Sequence, residues 1–156
     1  LRLFAADLTG RLPFRDSSFD AVLFLDVIEH LEPRRHVLGE IARVLRPDGR
    51  LLVSAPNRET SWRRRLRGAG LFAYSDPDHK IEYTETEFLS ELGAGGFAPD
   101  GPVMPVLYDT AWAGVIDVAE GLSLPAYRRL CAWKRQAALR QPAESIGFRV
   151  VPRRSA

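Results

Sequence analysis

The residues best suited to chemistry in this chain are Asp26, Glu29 and His30, which follow directly after the apolar run 21–25. A histidine side chain changes its charge near neutral pH, so it can take up or release a proton during a reaction. In open α/β sheets, ligands bind outside the carboxyl ends of the strands. If 21–25 is a strand, these three side chains lie where chemistry is expected.

The segment around this cluster has the pattern of one βαβ unit. Ala21–Leu25 is an apolar run typical of a buried strand. Pro33 suits the first turn of a helix, since its missing N–H would have no partner there. Four apolar residues at helical spacing give that helix its buried side: Val37, Leu38, Ile41 and Leu45. Pro47-Asp48-Gly49 is predicted to end it, and Leu51–Ala55 to form the second strand, adjacent and parallel to the first with a right-handed crossover.

Further elements are predicted on both sides of this unit. The apolar pattern indicates three more strands: Leu1–Ala6, Val103–Tyr108 and Ile146–Val151. It also indicates two helices separated by Pro125, namely Trp112–Glu120 and Ala126–Leu139. Thr84 and Glu87 have the spacing of a capping box, so another helix begins there.

The composition is typical of a soluble globular protein, with 46% hydrophobic and 27% charged residues in 156, enough for one domain. No apolar run approaches the ~20 residues of a membrane span. No signal peptide is visible, and the single cysteine, Cys131, excludes a disulfide framework. We therefore expect a cytoplasmic protein. Because the chain begins with Leu1 inside an apparent strand, we interpret it as part of a longer chain.

The C-terminal charges are uneven, because residues 128–156 hold eight basic residues against Glu144 alone. This pattern is typical of a solvated helix face and tail. It would also suit contact with a membrane surface or a phosphorylated partner.

Four short motifs follow one another in a defined order. They are Ala6-Asp7-Leu8 with Leu12-Pro13-Phe14; Phe19-Asp20; Glu40–Leu45 with Pro47-Asp48-Gly49; and His79, Tyr83-Thr84, Leu89 and Gly96-Phe97. Each motif is weak alone. In this order and spacing they resemble the class I S-adenosylmethionine (SAM) dependent methyltransferases, over residues 1 to about 109.

This resemblance implies an α/β, Rossmann-like three-layer methyltransferase fold that lacks its first two strands in this sequence, with the last strand antiparallel to the others. It implies that residues 1–109 are the C-terminal part of the methyltransferase domain, and that 110–156 add a helical insertion and the last strand. The implied cofactor is SAM. Asp7 would accept from its adenine amino group, with Leu8 beside it, and Leu25 and Asp26 would meet its methionine moiety.

Two histidines are candidate catalytic residues for methyl transfer, His30 and His79, because a hydroxyl acceptor benefits from a base. His36 lies in the predicted helix and is expected at the surface. The resemblance to relatives with an E-x-x-E-H turn also implies a divalent metal site made of Asp26, Glu29, His30 and His79. Without a metal, Glu29 and His30 would cap the next helix and line the cofactor pocket.

The expected partner is a small-molecule acceptor that is methylated on a hydroxyl. A basic segment after the second strand, containing Arg63, Arg64, Arg65 and Arg67, suits a phosphate or carboxylate on that acceptor as well as it suits a solvated helix face. Anionic and lipid-linked acceptors are therefore both candidates. A nucleic-acid partner is not expected, and the oligomeric state stays open.

The Gly-rich G-x-G-x-G loop, by which this fold approaches its cofactor closely, does not occur in the sequence. We therefore expect the isolated chain to bind SAM poorly, and we assign methyl transfer to a longer parent protein. One alternative is a non-catalytic binding module or inactive fragment. Another is a dehydrogenase, although no tyrosine is followed four residues later by a lysine, as short-chain dehydrogenases require.

Overall fold

The computed structural model describes residues 3–106, 113–140, 145 and 147–154. The elements, in chain order, are β1 (Phe19–Leu25), a 3₁₀ turn (Ile28–His30), α1 (Arg34–Val44), β2 (Leu45–Pro56), α2 (Ser61–Gly68), α3 (Glu85–Ala94), β3 (Phe97–Pro99), β4 (Met104–Val106), α4 (Ala113–Leu122), α5 (Leu124–Arg140), β5 (Gly147–Val150) and β6 (Pro152–Arg154). None of the described helices is both long and apolar enough to cross a bilayer.

The main sheet has four strands in the order β1-β2-β5-β4. β1 and β2 are adjacent and parallel, as the sequence predicts for a βαβ unit. β5 runs antiparallel to both of its neighbours, and β4 and β5 extend the same sheet. This arrangement is a Rossmann-like α/β fold, in which the carboxyl ends of β1 and β2 lie side by side.

The core lies between the sheet and two helices. The apolar stripe of α1, Val37, Leu38 and Ile41, is buried against the sheet, where alternate residues of β2 are also buried. α3 begins at a capping box, in which the Thr84 hydroxyl accepts from the Glu87 amide and the Glu87 carboxylate accepts from the Thr84 amide. Its last turn packs so closely on α1 that a Cβ at Gly95 would lie 2.5 Å from the Cβ of Leu38.

Two predicted boundaries of the βαβ unit are wrong. α1 ends at Val44 rather than at Pro47, and β2 begins at once with Leu45. The Pro-Asp-Gly turn lies instead in an irregular stretch of β2, where the pairing jumps from Phe19↔Leu45 to Ala21↔Arg50. A β-bulge thus absorbs the turn residues that the sequence predicted as a helix stop.

The predicted first strand also differs from the structure, because residues 3–7 form neither strand nor helix. A strand needs a neighbour that completes its hydrogen bonds, and among the described residues β1 has no neighbour on its outer edge. At the other end, β6 pairs with β3 and was not predicted. Pro125 lies in the first turn of α5, where proline is tolerated, and not between the helices. The predicted positions Leu1, Tyr108, Trp112 and Ile146 lie outside the described residues.

Candidate functional site

The candidate site begins where β1 ends. Asp26 adopts a left-handed backbone conformation with φ 51°, which turns the chain out of the strand. The Asp26 amide donates to the hydroxyl of Ser54 on β2 at 3.1 Å, and that hydroxyl donates to Oδ1 of Asp26 at 2.9 Å. The turn that carries the reactive side chains, Ile28–His30, is therefore anchored to the neighbouring strand.

The loop between α2 and α3 brings His79 to this turn. The backbone amides of Lys80 and Ile81 both donate to the carbonyl of Glu29, at 2.8 and 3.3 Å. Further along the loop, the amide of Tyr83 donates to the carbonyl of Pro56 at the end of β2. These main-chain bonds hold the end of the loop of residues 75–83 against the turn that follows β1 and against the end of β2.

Three of the predicted site residues meet at this point. One ligand atom from each of Glu29, His30 and His79 can be chosen so that all three lie within 4.8 Å of one another. The rings of His30 and His79 stack edge to face with their centroids 4.6 Å apart. Nε2 of His79 lies 3.9 Å from Oε1 of Glu29. Asp26 is not a member of this cluster, because its carboxylate is directed to Ser54.

Glu29 is a buried carboxyl group with an unusual environment. The residue is 1% exposed, and among the described residues no group forms a hydrogen bond with its Oε2 atom. Burial raises the pKa of Glu29 to about 7, and the charges of Asp26 and Glu82 add to this effect. Glu29 can therefore carry a proton at neutral pH, which an ordinary glutamate cannot.

Glu82 belongs to this site, although the sequence analysis did not select it. It is fully buried, and Oε1 accepts from the amide and hydroxyl of Ser75 at 2.6 and 2.7 Å and from Nδ1 of His79 at 2.9 Å. Its Oε2 accepts from Nη1 of Arg63 at 2.5 Å. The only signal in the sequence is a glutamate between two apolar residues, three positions after a histidine.

The composition of α2 suggested a site for an anionic acceptor, but arginines of this helix pair with other groups of the chain. Arg63 is 2% exposed and donates to Glu82 and to the carbonyl of Asn57. Arg67 donates to the carbonyl of Arg58 and to the Glu59 carboxylate. Arg63 is thus used inside the protein, and Arg64 and Arg67 pair at the surface with Glu59, so the segment offers less to an anionic acceptor than the sequence predicts.

Solved structures of known proteins share this fold. The 1,6-didemethyltoxoflavin-N1-methyltransferase of Burkholderia thailandensis, solved with bound 1,6-didemethyltoxoflavin and S-adenosylhomocysteine, superposes with a TM-score of 0.56. The match has 18% identity and covers 99% of this chain and 51% of the other, so it shows the fold alone. At the sequence level, residues 1–53 match the family described as "Methyltransferase domain".

Two relatives extend this sequence match. A probable S-adenosylmethionine-dependent methyltransferase of Mycolicibacterium smegmatis is 38% identical over 56% of this chain and 32% of its own length. The 27-O-demethylrifamycin SV methyltransferase of Amycolatopsis mediterranei is 31% identical over 76% of this chain and 44% of its own length. The family match and the names of these relatives support a class I SAM methyltransferase domain in this chain. The chain spans between about a third and just under half of the length of these two relatives.

The predicted cofactor residues lie in two places. Asp7 is exposed, and its Oδ1 accepts from the amide and the hydroxyl of Thr9, which lowers the pKa of its carboxyl group. Leu8 packs against the edge of the core. Leu25 and Asp26 lie at the end of β1, next to β2. An ionised, exposed carboxylate at position 7 fits an acceptor for the adenine amino group.

A divalent cation would fit part of the predicted ligand set. Glu29, His30 and His79 supply one oxygen and two nitrogen donors, and Oε2 of Glu29 is a buried atom without a partner among the described residues. Asp26 does not complete this set, since its carboxylate accepts from Ser54. Among the residues that the structure describes, three ligands rather than four thus meet at this point.

Proposed function

We propose that the protein containing this chain transfers a methyl group from SAM to a hydroxyl group of a small molecule, and that this chain provides the acceptor side of the active site. The observation that carries the proposal is the position of His79, whose Nε2 lies beside the buried Glu29 and next to His30 at the carboxyl ends of β1 and β2. The name of the rifamycin-directed relative, which describes a 27-O-demethyl compound, supports an oxygen as the acceptor atom.

SAM supplies an activated methyl group on a sulfonium centre, whose departure leaves a neutral thioether. Asp7 is the residue of this chain that would hold the adenine, and Leu25 and Asp26 would lie along the methionine moiety. The chain's own task is to orient the acceptor, which is worth up to ~7–11 kcal/mol in well-aligned reactions.

His79 is the proposed base. As the acceptor oxygen forms its new bond to carbon, its proton passes to Nε2 of His79, and the resulting positive charge is stabilised by the nearby carboxyl groups of Glu29 and Glu82. His30 packs against the same ring and is the second candidate for this role. The side chains of Glu29, His30 and His79 would also limit the access of water to the acceptor.

A metal-assisted variant of the same function is the second candidate, favoured by Oε2 of Glu29, which is buried and has no hydrogen-bond partner among the described residues. In it, Glu29, His30 and His79 would hold a divalent cation that binds and acidifies the acceptor hydroxyl. The raised pKa of Glu29 would make this arrangement depend on pH, because the cation would have to displace a proton from that carboxyl group.

The test is a methyl-transfer assay on the 156-residue chain and on the longer protein that contains it, with SAM and paired acceptors that differ only in a hydroxyl or an O-methyl group. Product formation from the hydroxyl compounds alone, detected by mass spectrometry, is expected for the longer protein. Transfer to amines but not to hydroxyls would contradict the proposed acceptor, and the absence of SAM binding in the longer protein would contradict the function itself.

A further inference from the structure

Glu82 is the most highly connected polar side chain near the proposed base. Its two oxygens accept four hydrogen bonds, from Ser75 (amide and hydroxyl), His79 and Arg63. The residue is fully buried, and so is its partner Arg63. Because Glu82 is closed off from solvent, its effect on the site passes through the groups that it holds.

The contact with His79 determines where that imidazole carries its proton. The other three groups that face the carboxylate, the amide and hydroxyl of Ser75 and the guanidinium of Arg63, donate to it, and an ionised carboxylate is only an acceptor. Nδ1 of His79, 2.9 Å from Oε1 of Glu82, must therefore bear a hydrogen. When the ring is neutral, the lone pair then resides on Nε2, whereas unconstrained histidine favours the opposite arrangement.

The direction of Nε2 makes this tautomer relevant to the proposed reaction. With Nδ1 fixed to Glu82, Nε2 is turned toward Oε1 of Glu29, 3.9 Å away, and the ring lies against His30. This is the edge of the cluster at which the proposed acceptor would lie. A lone pair on Nε2 is what a base needs there, and it is equally what a metal ligand needs.

We propose that Glu82 is a positioning residue, which fixes His79 in the Nδ1–H tautomer so that Nε2 presents its lone pair to the acceptor site. Arg63 supports it as a buried counter-charge, since Nη1 of Arg63 lies 2.5 Å from Oε2 of Glu82 and both side chains are buried. The inference deepens the proposed function and rests on it for the catalytic meaning of Nε2. The tautomer itself does not depend on methyl transfer.

The first test measures the tautomer of His79 in the unmodified chain. The ¹⁵N and ¹³C signals of the imidazole rings are recorded on the labelled chain with a chelator present, at a pH about two units above the ordinary histidine pKa of ~6.5. His79 is assigned by its loss in His79→Gln, and the exposed His36 gives a reference in the same spectrum. We expect His79 to show the Nδ1–H pattern; an Nε2–H pattern would overturn the proposal.

The second test separates a positioning role from simple pairing with Arg63. The double variant Arg63→Met/Glu82→Leu removes the buried pair without leaving a single buried charge, and it deletes the acceptor for Nδ1. The matched control, Arg63→Met/Glu82→Gln, also removes both charges but keeps a carbonyl oxygen as acceptor. We expect His79 to move toward the Nε2–H tautomer in the first variant and to retain Nδ1–H in the second.

The same tautomer in both folded double variants would mean that Glu82 does not set it, and the proposal would be wrong. If the leucine variant does not fold, the measurement on the unmodified chain still decides the question. In the longer protein, methyl transfer should fall ~10²-fold more in the leucine variant than in the glutamine variant. Correct tautomers combined with full activity of His79→Gln would refute the proposed base while leaving the role of Glu82 in place.

Discussion

The hydroxyl of Ser54 both accepts from the amide of Asp26 and donates to its carboxylate, so one side chain of β2 holds the left-handed residue that ends β1. Replacing Ser54 with alanine removes both bonds at a buried position. We expect a loss of about 1–3 kcal/mol in the free energy of unfolding, measured by urea denaturation. Ser90→Ala, at an exposed position of α3, is the control and should change stability by less than about 0.5 kcal/mol.

Glu29 should make stability depend on pH. Its pKa is raised from 4.5 to about 7 in the folded protein, so between these values the folded state binds more protons than the unfolded state. Its contribution is therefore fully present below about pH 4.5 and is lost as the pH rises to about 7, by about 2–3 kcal/mol. Glu29→Gln, which resembles the protonated form, should remove this part of the dependence in chelator-treated samples. An identical pH profile for both proteins would show that Glu29 titrates normally.

The buried pair of Arg63 and Glu82 predicts a strong asymmetry between single and double variants. Arg63→Met leaves the carboxylate of Glu82 without its counter-charge and should destabilise the chain by about 3–5 kcal/mol. Adding Glu82→Gln to the same variant should recover much of that loss, since no isolated charge remains buried. Additive effects in chemical denaturation would indicate that the two groups do not interact.

Chelation distinguishes the base from the metal-assisted variant. We expect EDTA to leave methyl transfer by the longer protein unchanged, and His79→Ala to lower the rate ~10²–10⁴-fold. His36→Ala serves as the control, because His36 is exposed and bonds only to the carbonyl of Gly10 among the described residues. Loss of activity on chelation, restored by Mg²⁺, Mn²⁺ or Zn²⁺, would favour the cluster of Glu29, His30 and His79 as a metal site.

Asp7 gives a test of the cofactor assignment. Asp7→Ala removes an exposed carboxylate whose lowered pKa keeps it ionised, and it should weaken SAM binding by the longer protein ~10-fold or more in calorimetric titration. Asp48→Ala, on the exposed part of β2, is expected to bind SAM as the unmodified protein does. Unchanged affinity for Asp7→Ala would remove this residue from the adenine site, and tight binding by the isolated chain would contradict the prediction made from its missing Gly-rich loop.

Patterns with a fixed spacing were predictable from the sequence. The parallel pairing of β1 and β2 follows from two apolar runs joined by an amphipathic helix, and the start of α3 follows from Thr84 and Glu87. The boundary of α1 was not predictable, because a bulge in β2 can absorb Pro47-Asp48-Gly49 as well as a turn can. The strand predicted over Leu1–Ala6 depended on pairing, which apolar character alone does not provide.

The site was predictable only in part, for a similar reason. Glu29 and His30 are adjacent in sequence and follow a strand, and the family resemblance added His79. The burial of Arg63 and Glu82 depends on contacts between segments 19 residues apart. Composition favours the opposite interpretation, because arginine and glutamate are mostly exposed unless they are paired. Long-range pairing of this kind leaves almost no trace in local sequence.

Beside the ion pair of Glu82 with Arg63, main-chain bonds hold the loop of residues 75–83 to the carbonyl groups of Glu29 and Pro56. Amides and carbonyls are common to nearly every residue type, so exposed positions of the loop such as Pro77, Asp78 and Lys80 can change without releasing it. Exchange of these residues would therefore change the surface of the loop while His79 keeps its place. The exposed residues of the loop are thus free to vary, while the main-chain bonds fix the position of the proposed base.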